Sequence, residues 1–378
     1  MRQKTPAKAA TTFLALCLLF TAGLAQTPQR YFDTVTEPHQ GTRLAICYPS
    51  TGTLQALASL KAQGLLPAEN FEVVGVHHVK ERTDYQRALK YVQDQKITWV
   101  KFHEVTAELD PANLFKTNAL LKEFADIFRK SDGVIFFGGP DIPPATYKEK
   151  TSLLTQITDP FRHYFELSFV FHLLGGSQND AVKPYLEGRP NFPVLGICLG
   201  MQTLNTGTGG TLVQDIWTET YGKTTVEDVL ALGPSSWHTN PWTLLNPTDR
   251  ALFPHMMHPI KLAEKSKFCA ELGFKPTDEP YIMSAHHQAA RVVGKGFRVA
   301  ATSLDGKVVE AIEHTRFPNV LGLQFHPEFP AVWDTEPKSK LTPQDKDLIA
   351  INAYLTAHPP TIEFHKKLWT WFFSKLKH

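Results

Sequence analysis

The chain has 378 residues, 42% of them hydrophobic and 20% charged, with 39 Lys plus Arg against 37 Asp plus Glu for a net charge of +2. That apolar content at near-neutral charge excludes a disordered chain, and the balance is far from that of a dedicated nucleic-acid binder. No apolar run long enough to span a bilayer follows residue 30, which excludes a polytopic membrane protein.

In chain order, residues 1–25 read as an export signal. Arg2, Lys4 and Lys8 make a basic start, Phe13 to Phe20 a short apolar core, and Gly23-Leu24-Ala25 places small residues before Gln26. The apolar core is short for a hydrocarbon layer of ~30 Å. The expected destination is therefore the periplasm or the cell exterior, with no stable membrane span once the signal is removed. Its removal takes away three positive charges and no negative one, so no polyanionic partner is implied. It also leaves three cysteines, Cys47, Cys198 and Cys269. An odd count leaves at least one thiol free. Cys47 sits in an apolar strand-like run and Cys269 in a helical stretch, as core residues or as one disulfide.

Next come alternating elements. Leu44 to Tyr48, Phe71 to Val76, Trp99 to Val105, Gly133 to Phe137 and Pro193 to Ile197 read as strands. Between them, Leu54 to Leu65, Arg82 to Val92, Leu114 to Phe128 and Asp159 to Leu174 have helical spacing, and Met201 to Asn205 begins another helix. Later segments, Arg298 to Ala301, Val308 to Glu313 and Val320 to Phe325, read as β-hairpins, with Asp305-Gly306 as a tight turn. The pattern predicts an α/β fold over residues 31–333, with a mostly parallel central sheet and helices on both faces. Residues 334–345 read as a polar linker, and two helices, 346–357 and 361–376, form a C-terminal extension. In the last of these, basic residues alternate with Leu368, Trp369, Trp371, Phe372 and Phe373. A membrane-surface helix is one reading; packing on its own domain is the expected one.

Gly196-Ile197-Cys198-Leu199-Gly200 follows an apolar strand and precedes a helix, the nucleophile-elbow pattern with cysteine in place of serine. The turn lifts the sulfur to a helix N-terminus, where the macrodipole favours thiolate. A thiolate nucleophile needs a base and an orienting group. His326 and Glu328, two apart at a strand end, point to one side and supply both. Gly138-Gly139-Pro140 ends a strand, and the backbone N–H groups of Gly139 and Leu199 are the expected oxyanion donors.

These pieces together resemble the class I glutamine amidotransferase superfamily, and within it the γ-glutamyl hydrolases, in particular the γ-glutamyl-γ-aminobutyrate hydrolase type. The stretches that carry the likeness are SDGVIFFGGPDIPP at 131–144, PVLGICLGMQTLN at 193–205, GGTLVQDI at 209–216, SAHHQ at 284–288 and LGLQFHPE at 321–328. The resemblance implies a flavodoxin-like three-layer fold and a catalytic triad of Cys198, His326 and Glu328. It implies substrate contacts from Gly138 and Gln202, and it places His286, His287 and Gln288 on a loop near the substrate. The implied activity is hydrolysis of γ-glutamyl amides through a γ-glutamyl thioester, releasing glutamate and an amine without metal or organic cofactor. The partner is a small γ-glutamyl substrate and not a nucleic acid; oligomeric state, a homodimer included, stays open. The aminobutyrate hydrolases usually carry Arg directly after the nucleophile. Leu199 here is more similar to the glutamine amidotransferases and the folate-type hydrolases. A glutaminase module serving a synthetase and a non-catalytic γ-glutamyl-binding protein are the alternative readings.

Of the remaining motifs, His255 and His258 share an i, i+3 spacing but lack further ligands nearby in the sequence, so no metal site is expected. His77-His78 reads as a strand-end pair. The glycines at 207, 209 and 210 lack the strand-then-helix context of a phosphate loop.

Overall fold

The computed structural model describes residues 29–37 and 39–376; the export signal assigned to 1–25 lies outside them. Its twelve strands are β1 (Thr42–Cys47), β2 (Phe71–His78), β3 (Val100–Val105), β4 (Gly133–Phe136), β5 (Val194–Ile197), β6 (Thr211–Val213), β7 (Met256–Leu262), β8 (Tyr281–Ser284), β9 (Ala289–Val292), β10 (Phe297–Ser303), β11 (Val309–His314) and β12 (Val320–Leu323). Ten of them form one sheet in the order β3-β2-β1-β4-β5-β12-β11-β10-β7-β8. The first six run parallel; β11, β10, β7 and β8 continue antiparallel. β6 and β9 pair separately.

Successive side chains of a strand point to opposite faces, and β1 shows how both faces are used. Leu44 and Ile46 join one buried cluster and Ala45 and Cys47 the other. The first face is covered by α1 (Thr51–Ala62) through Leu54, Leu57 and Leu60, and by the C-terminal helix. The opposite face is covered by α2 (Leu121–Arg129), α3 (Pro160–Leu174) and α4 (Leu199–Gly207), through residues such as Phe124, Phe169 and Leu204. This is the three-layer α/β arrangement expected from the alternating pattern.

Several boundaries differ from the expected ones for local reasons. The helix expected at 82–92 begins at Tyr85, where the Asp84 side chain accepts the Gln86 N–H. The span 114–128 is helical only from Leu121, because Asn118 intervenes and its side-chain oxygen takes the Leu120 N–H. His258 lies in β7 and His255 just before it, and the two part: His255 lines the cavity over Cys198 while His258 is buried in a separate cluster. Cys47 and Cys269 are separate buried thiols rather than a disulfide, and burial pushes the Cys269 thiol up to about 11.

The C-terminal segment is part of the main core. After a short helix, Ile351–Thr356, the last helix α5 (Thr361–Lys375) buries Phe364, Leu368, Trp369 and Phe372 in the same cluster as β1 and β12. Trp369 is wholly buried. Its indole N–H and that of Trp333 both donate to the carbonyl oxygen of Pro327, at 3.1 and 3.2 Å. No helix among the described residues is long and apolar enough to cross a membrane. Trp369→Ala is expected to cost about 3–5 kcal/mol. Denaturant unfolding measures this; an unchanged midpoint would mean the helix is not part of the core.

Candidate active site

The register of three neighbouring parallel strands determines what meets at the sheet's carboxyl edge. In β4, β5 and β12, Val134 and Val320 both lie opposite Val194, and Leu323 lies opposite Ile197. The residues that follow each strand therefore emerge at one level: Gly138-Gly139 after β4, Cys198 after β5 and His326 after β12. Ligand sites of open α/β sheets form at this edge.

Cys198 precedes the first residue of α4 with φ 53° and ψ −108°. A non-glycine residue there is strained by ~1–3 kcal/mol, and its neighbours hold it in place. Its N–H donates to the Leu323 carbonyl at 2.7 Å, and its carbonyl accepts the Gln202 N–H at 3.2 Å. Gly200 is required by contact: a Cβ there would stand 1.9 Å from the Phe136 carbonyl oxygen. As the first residue of α4, Leu199 has an N–H without an intrahelical partner, as oxyanion donation requires.

His326 Nδ1 is 2.7 Å from Glu328 Oε1, and Phe329 stacks on the ring at 4.0 Å between centroids. Burial alone would lower the imidazole, but the Glu328 carboxylate and then the Cys198 sulfur outweigh it and raise His326 to about 10. The site thus keeps a charged imidazolium against the sulfur at neutral pH. Gly138 lies against both groups: a Cβ on it would fall 2.9 Å from His326 Cε1 and 3.5 Å from Cys198 Cβ.

Two positioning residues escaped the sequence reading. Arg162 on α3 is fully buried and paired with Glu166 at 2.8 Å. It donates to the carbonyls of Phe137 and Gly138 at 2.7 and 3.1 Å and stacks on Tyr48. In a trans peptide the N–H points opposite to the C=O, so Arg162 turns the Gly139 N–H away from itself. Gln324 is the second: its Nε2 donates to Cys198 Sγ at 3.8 Å. A buried arginine on an apolar helix and a glutamine in a strand-end motif carry no spacing signal that would single them out.

A cavity of about 580 Å³ opens over these groups, with Cys198, His326, Gly138 and Gly139 in its lining. Ser50, Gly52 and Thr53, the first turn of α1, line another side and present the positive end of that helix. Phe253, His255 and Phe329 form an aromatic wall. No lysine or arginine lines the cavity among the described residues.

The remaining candidates lie outside the lining of this cavity. Gln202 is buried behind the nucleophile, its Nε2 donating to the Gln288 carbonyl at 3.3 Å and the Gln324 side chain at 3.4 Å. Gln288 in turn donates to the Gln214 carbonyl. His287 is clamped between Asp141 and Asp215 at 3.1 and 3.3 Å and lines a separate cavity. Burial opposes its charge, but the hydrogen bonds it donates to the two carboxylates raise it to about 9. His286 points into a buried cluster with His238, His258 and Glu310. None of these four lines the cavity over Cys198: Gln202, His286 and Gln288 are buried, and His287 faces the separate cavity. His255 lines that cavity and is pushed down to about 4 by burial, then by His326.

Fold and site define a cysteine-centred, hydrolase-type scaffold of the class I glutamine amidotransferase-like kind. The Peptidase C26 family matches residues 72–328, and the chain belongs to that family. YvdE of Lactococcus lactis, named for its likeness to glutamine amidotransferases, is 32% identical over 206 residues, 54% of this chain and 68% of its own length. RP404 of Rickettsia prowazekii, named in the same way, is 29% identical over 213 residues, 52% of this chain and 70% of its own length. A glutamine amidotransferase structure from Thermotoga maritima aligns with 90% of this chain and 100% of that one, at 13% identity and a TM-score of 0.39, a likeness too loose to bear on the argument.

NMR of histidine-labelled protein is expected to find His326 protonated through pH 8 and titrating near about 10. In Glu328→Gln that titration falls back toward the ordinary histidine range, because the carboxylate is the larger raising cause. The raised value stabilises the fold fully below 6.5, the unfolded value, and that stability is lost as pH rises through about 10. A His326 titration unmoved by Glu328→Gln would contradict the assignment.

Proposed function

We propose that this protein is a cysteine hydrolase that cleaves γ-glutamyl amide bonds, releasing glutamate and an amine. One observation carries the reading. Cys198 at a helix start, His326 bonded to Glu328 and the Gly138-Gly139 turn converge at the carboxyl edge of three adjacent strands around one cavity.

In the proposed reaction, Cys198 Sγ attacks the γ-carbonyl carbon and the carbonyl electron pair moves onto oxygen. The N–H groups of Gly139 and Leu199 hold that oxyanion. His326 gives its proton to the departing nitrogen as the C–N bond breaks, leaving a γ-glutamyl thioester on Cys198. Neutral His326 then takes a proton from water, whose oxygen attacks the thioester; the C–S bond breaks and glutamate leaves. Glu328 keeps the imidazole oriented throughout. With no lysine or arginine in the lining among the described residues, and His326 committed to the sulfur, the substrate α-carboxylate goes to the first turn of α1, at Ser50, Gly52 and Thr53. The leaving amine lies along the Phe253, His255 and Phe329 wall.

Membership of the Peptidase C26 family supports a hydrolase. The basic, apolar and small-residue pattern of residues 1–25 adds the proposal that it works outside the cytoplasm, where a hydrolase acting alone is more useful than a module passing ammonia to a synthetase. The names of the relatives favour one second reading, hydrolysis of glutamine itself.

Glutamate release from γ-glutamyl-aminobutyrate, γ-glutamyl peptides, a folate polyglutamate and free glutamine tests both. Turnover of at least one conjugate is expected, falling by at least ~10⁴-fold in Cys198→Ala. Glutamine alone as substrate would favour the second reading. Release from none, or substantial release by Cys198→Ala, would overturn the proposal.

A further inference from the structure

Away from the cavity over Cys198, four side chains meet in the interior. His238 lies in a loop, His258 on β7, His286 just after β8 and Glu310 on β11. All are buried, His258 and Glu310 completely. One ligand-type atom from each can be chosen so that all lie within 4.8 Å of one another. His238 Nδ1 stands 3.2 Å and His258 Nε2 3.8 Å from Glu310 Oε1, and His286 Nε2 stands 3.6 Å from Glu310 Oε2.

The hydrogen-bond accounting shows what the cluster lacks. Neither Glu310 oxygen, neither His238 nitrogen, nor the Nε2 of His258 or His286 has a hydrogen-bond partner. A buried carboxylate without hydrogen bonds is costly, and such groups are normally paired or bound to metal. A single imidazolium would leave the other two imidazoles unanswered. Two of the three outer nitrogens, by contrast, are provided for, while His238 Nε2 has no partner. His258 Nδ1 faces the Pro259 carbonyl at 3.2 Å and His286 Nδ1 the Gln288 carbonyl at 2.9 Å. Those acceptors place the proton on Nδ1 and leave the Nε2 lone pairs aimed at the centre, as the supporting groups of metal-bound histidines do. The rings also diverge around a common point: His238 stands at 77° to His258 and at 50° to His286, with centroids 4.8 and 4.9 Å apart.

We propose that His238, His258, His286 and Glu310 form a buried site for one divalent transition-metal ion, with zinc the ion that fits best. Imidazole nitrogens with one carboxylate oxygen are ligands that zinc takes in tetrahedral sites. With bonds of about 2.0–2.1 Å, neighbouring ligand atoms of a tetrahedron stand roughly 3.3 Å apart; the two separations from Glu310 Oε1, 3.2 and 3.8 Å, bracket that value, and the four atoms within 4.8 Å of one another need to draw in by about an ångström at most to close on an ion. None of the four side chains lines the cavity over Cys198 or the one beside His287. Four protein ligands with no opening make a structural site rather than a catalytic one.

Its position gives it a task. Ala285 and His255 line the active-site cavity, next to His286 and three residues before His258. The Glu310 carbonyl accepts the Gln324 N–H at 2.8 Å, and Gln324 touches the Cys198 sulfur. The His238 carbonyl accepts from Ser284 Oγ and from the His286 N–H. A metal here pins the loop at 238 to β7, β8 and β11 and so fixes the wall of the cavity from behind, independently of the reaction at Cys198.

The full protein, expressed in zinc-supplemented medium, desalted and measured by elemental analysis, is expected to hold about one equivalent of divalent transition metal per chain. A His258→Ala/Glu310→Gln double variant is expected to hold almost none. If that variant does not fold, the wild type stripped with dipicolinate decides: zinc re-addition should raise its melting temperature by several degrees, and cobalt should give the visible bands of a four-coordinate site. Folded wild-type protein without stoichiometric metal, unmoved by zinc or cobalt, would overturn the proposal and leave the cluster a buried ion-pair knot.

Discussion

The site depends on one close approach. At the end of β5 the chain must turn into α4 within a residue, and it must do so against the end of β4. Gly200 packs so tightly on the Phe136 carbonyl that no side chain fits between them. That contact lets α4 start directly after Cys198 and keeps Cys198 in a backbone conformation that a free chain would avoid. The strain is held by the Leu323 carbonyl on one side and the first turn of α4 on the other. Because β4, β5 and β12 end in register, the same contact brings the Gly138-Gly139 turn and His326 to the sulfur.

Around that centre, backbone carbonyls are the handles by which distant elements act. Arg162 holds the carbonyls of Phe137 and Gly138, offsetting its burial with Glu166 and the Tyr48 ring. Trp333 and Trp369 hold the carbonyl of Pro327, the residue between His326 and Glu328. The C-terminal helix lies beyond residues 72–328, the part matched to the family, yet it reaches the loop that carries the base. It fixes the angle at which His326 and Glu328 leave the sheet.

The fold's parallel half was legible because its strands are short apolar runs closed by Gly, Pro or Cys, as at 133–137 and 193–197. The antiparallel half was only partly so. The Asp305-Gly306 turn marked β10 and β11, but β7 contains Pro259 and β8 is only four residues long, so neither gives a clear period. Cys198, His326, Glu328 and the glycine turn were legible because their chemistry is local: an elbow, a two-residue spacing, a strand end. Gln202, His286, His287 and Gln288 were placed near substrate through family likeness, and none of them lines the cavity over Cys198. What they touch, Gln324, Glu310, Asp141 and Asp215, is distant in sequence, and no local spacing encodes such meetings. The same reason hid the four-residue cluster: His258 and His286 sit in motifs, but His238 and Glu310 carry none.

The central claim is that Cys198 becomes acylated by a γ-glutamyl group. Intact-protein mass spectrometry on acid-quenched mixtures of enzyme and a chromogenic γ-glutamyl anilide tests it most directly. The account predicts a species heavier by one glutamyl group, mapped to the peptide bearing Cys198, sensitive to hydroxylamine and absent in Cys198→Ala. An adduct on another residue, or glutamate release at Cys198-dependent rates with no acyl-enzyme at any quench time and no reaction with hydroxylamine, would contradict it.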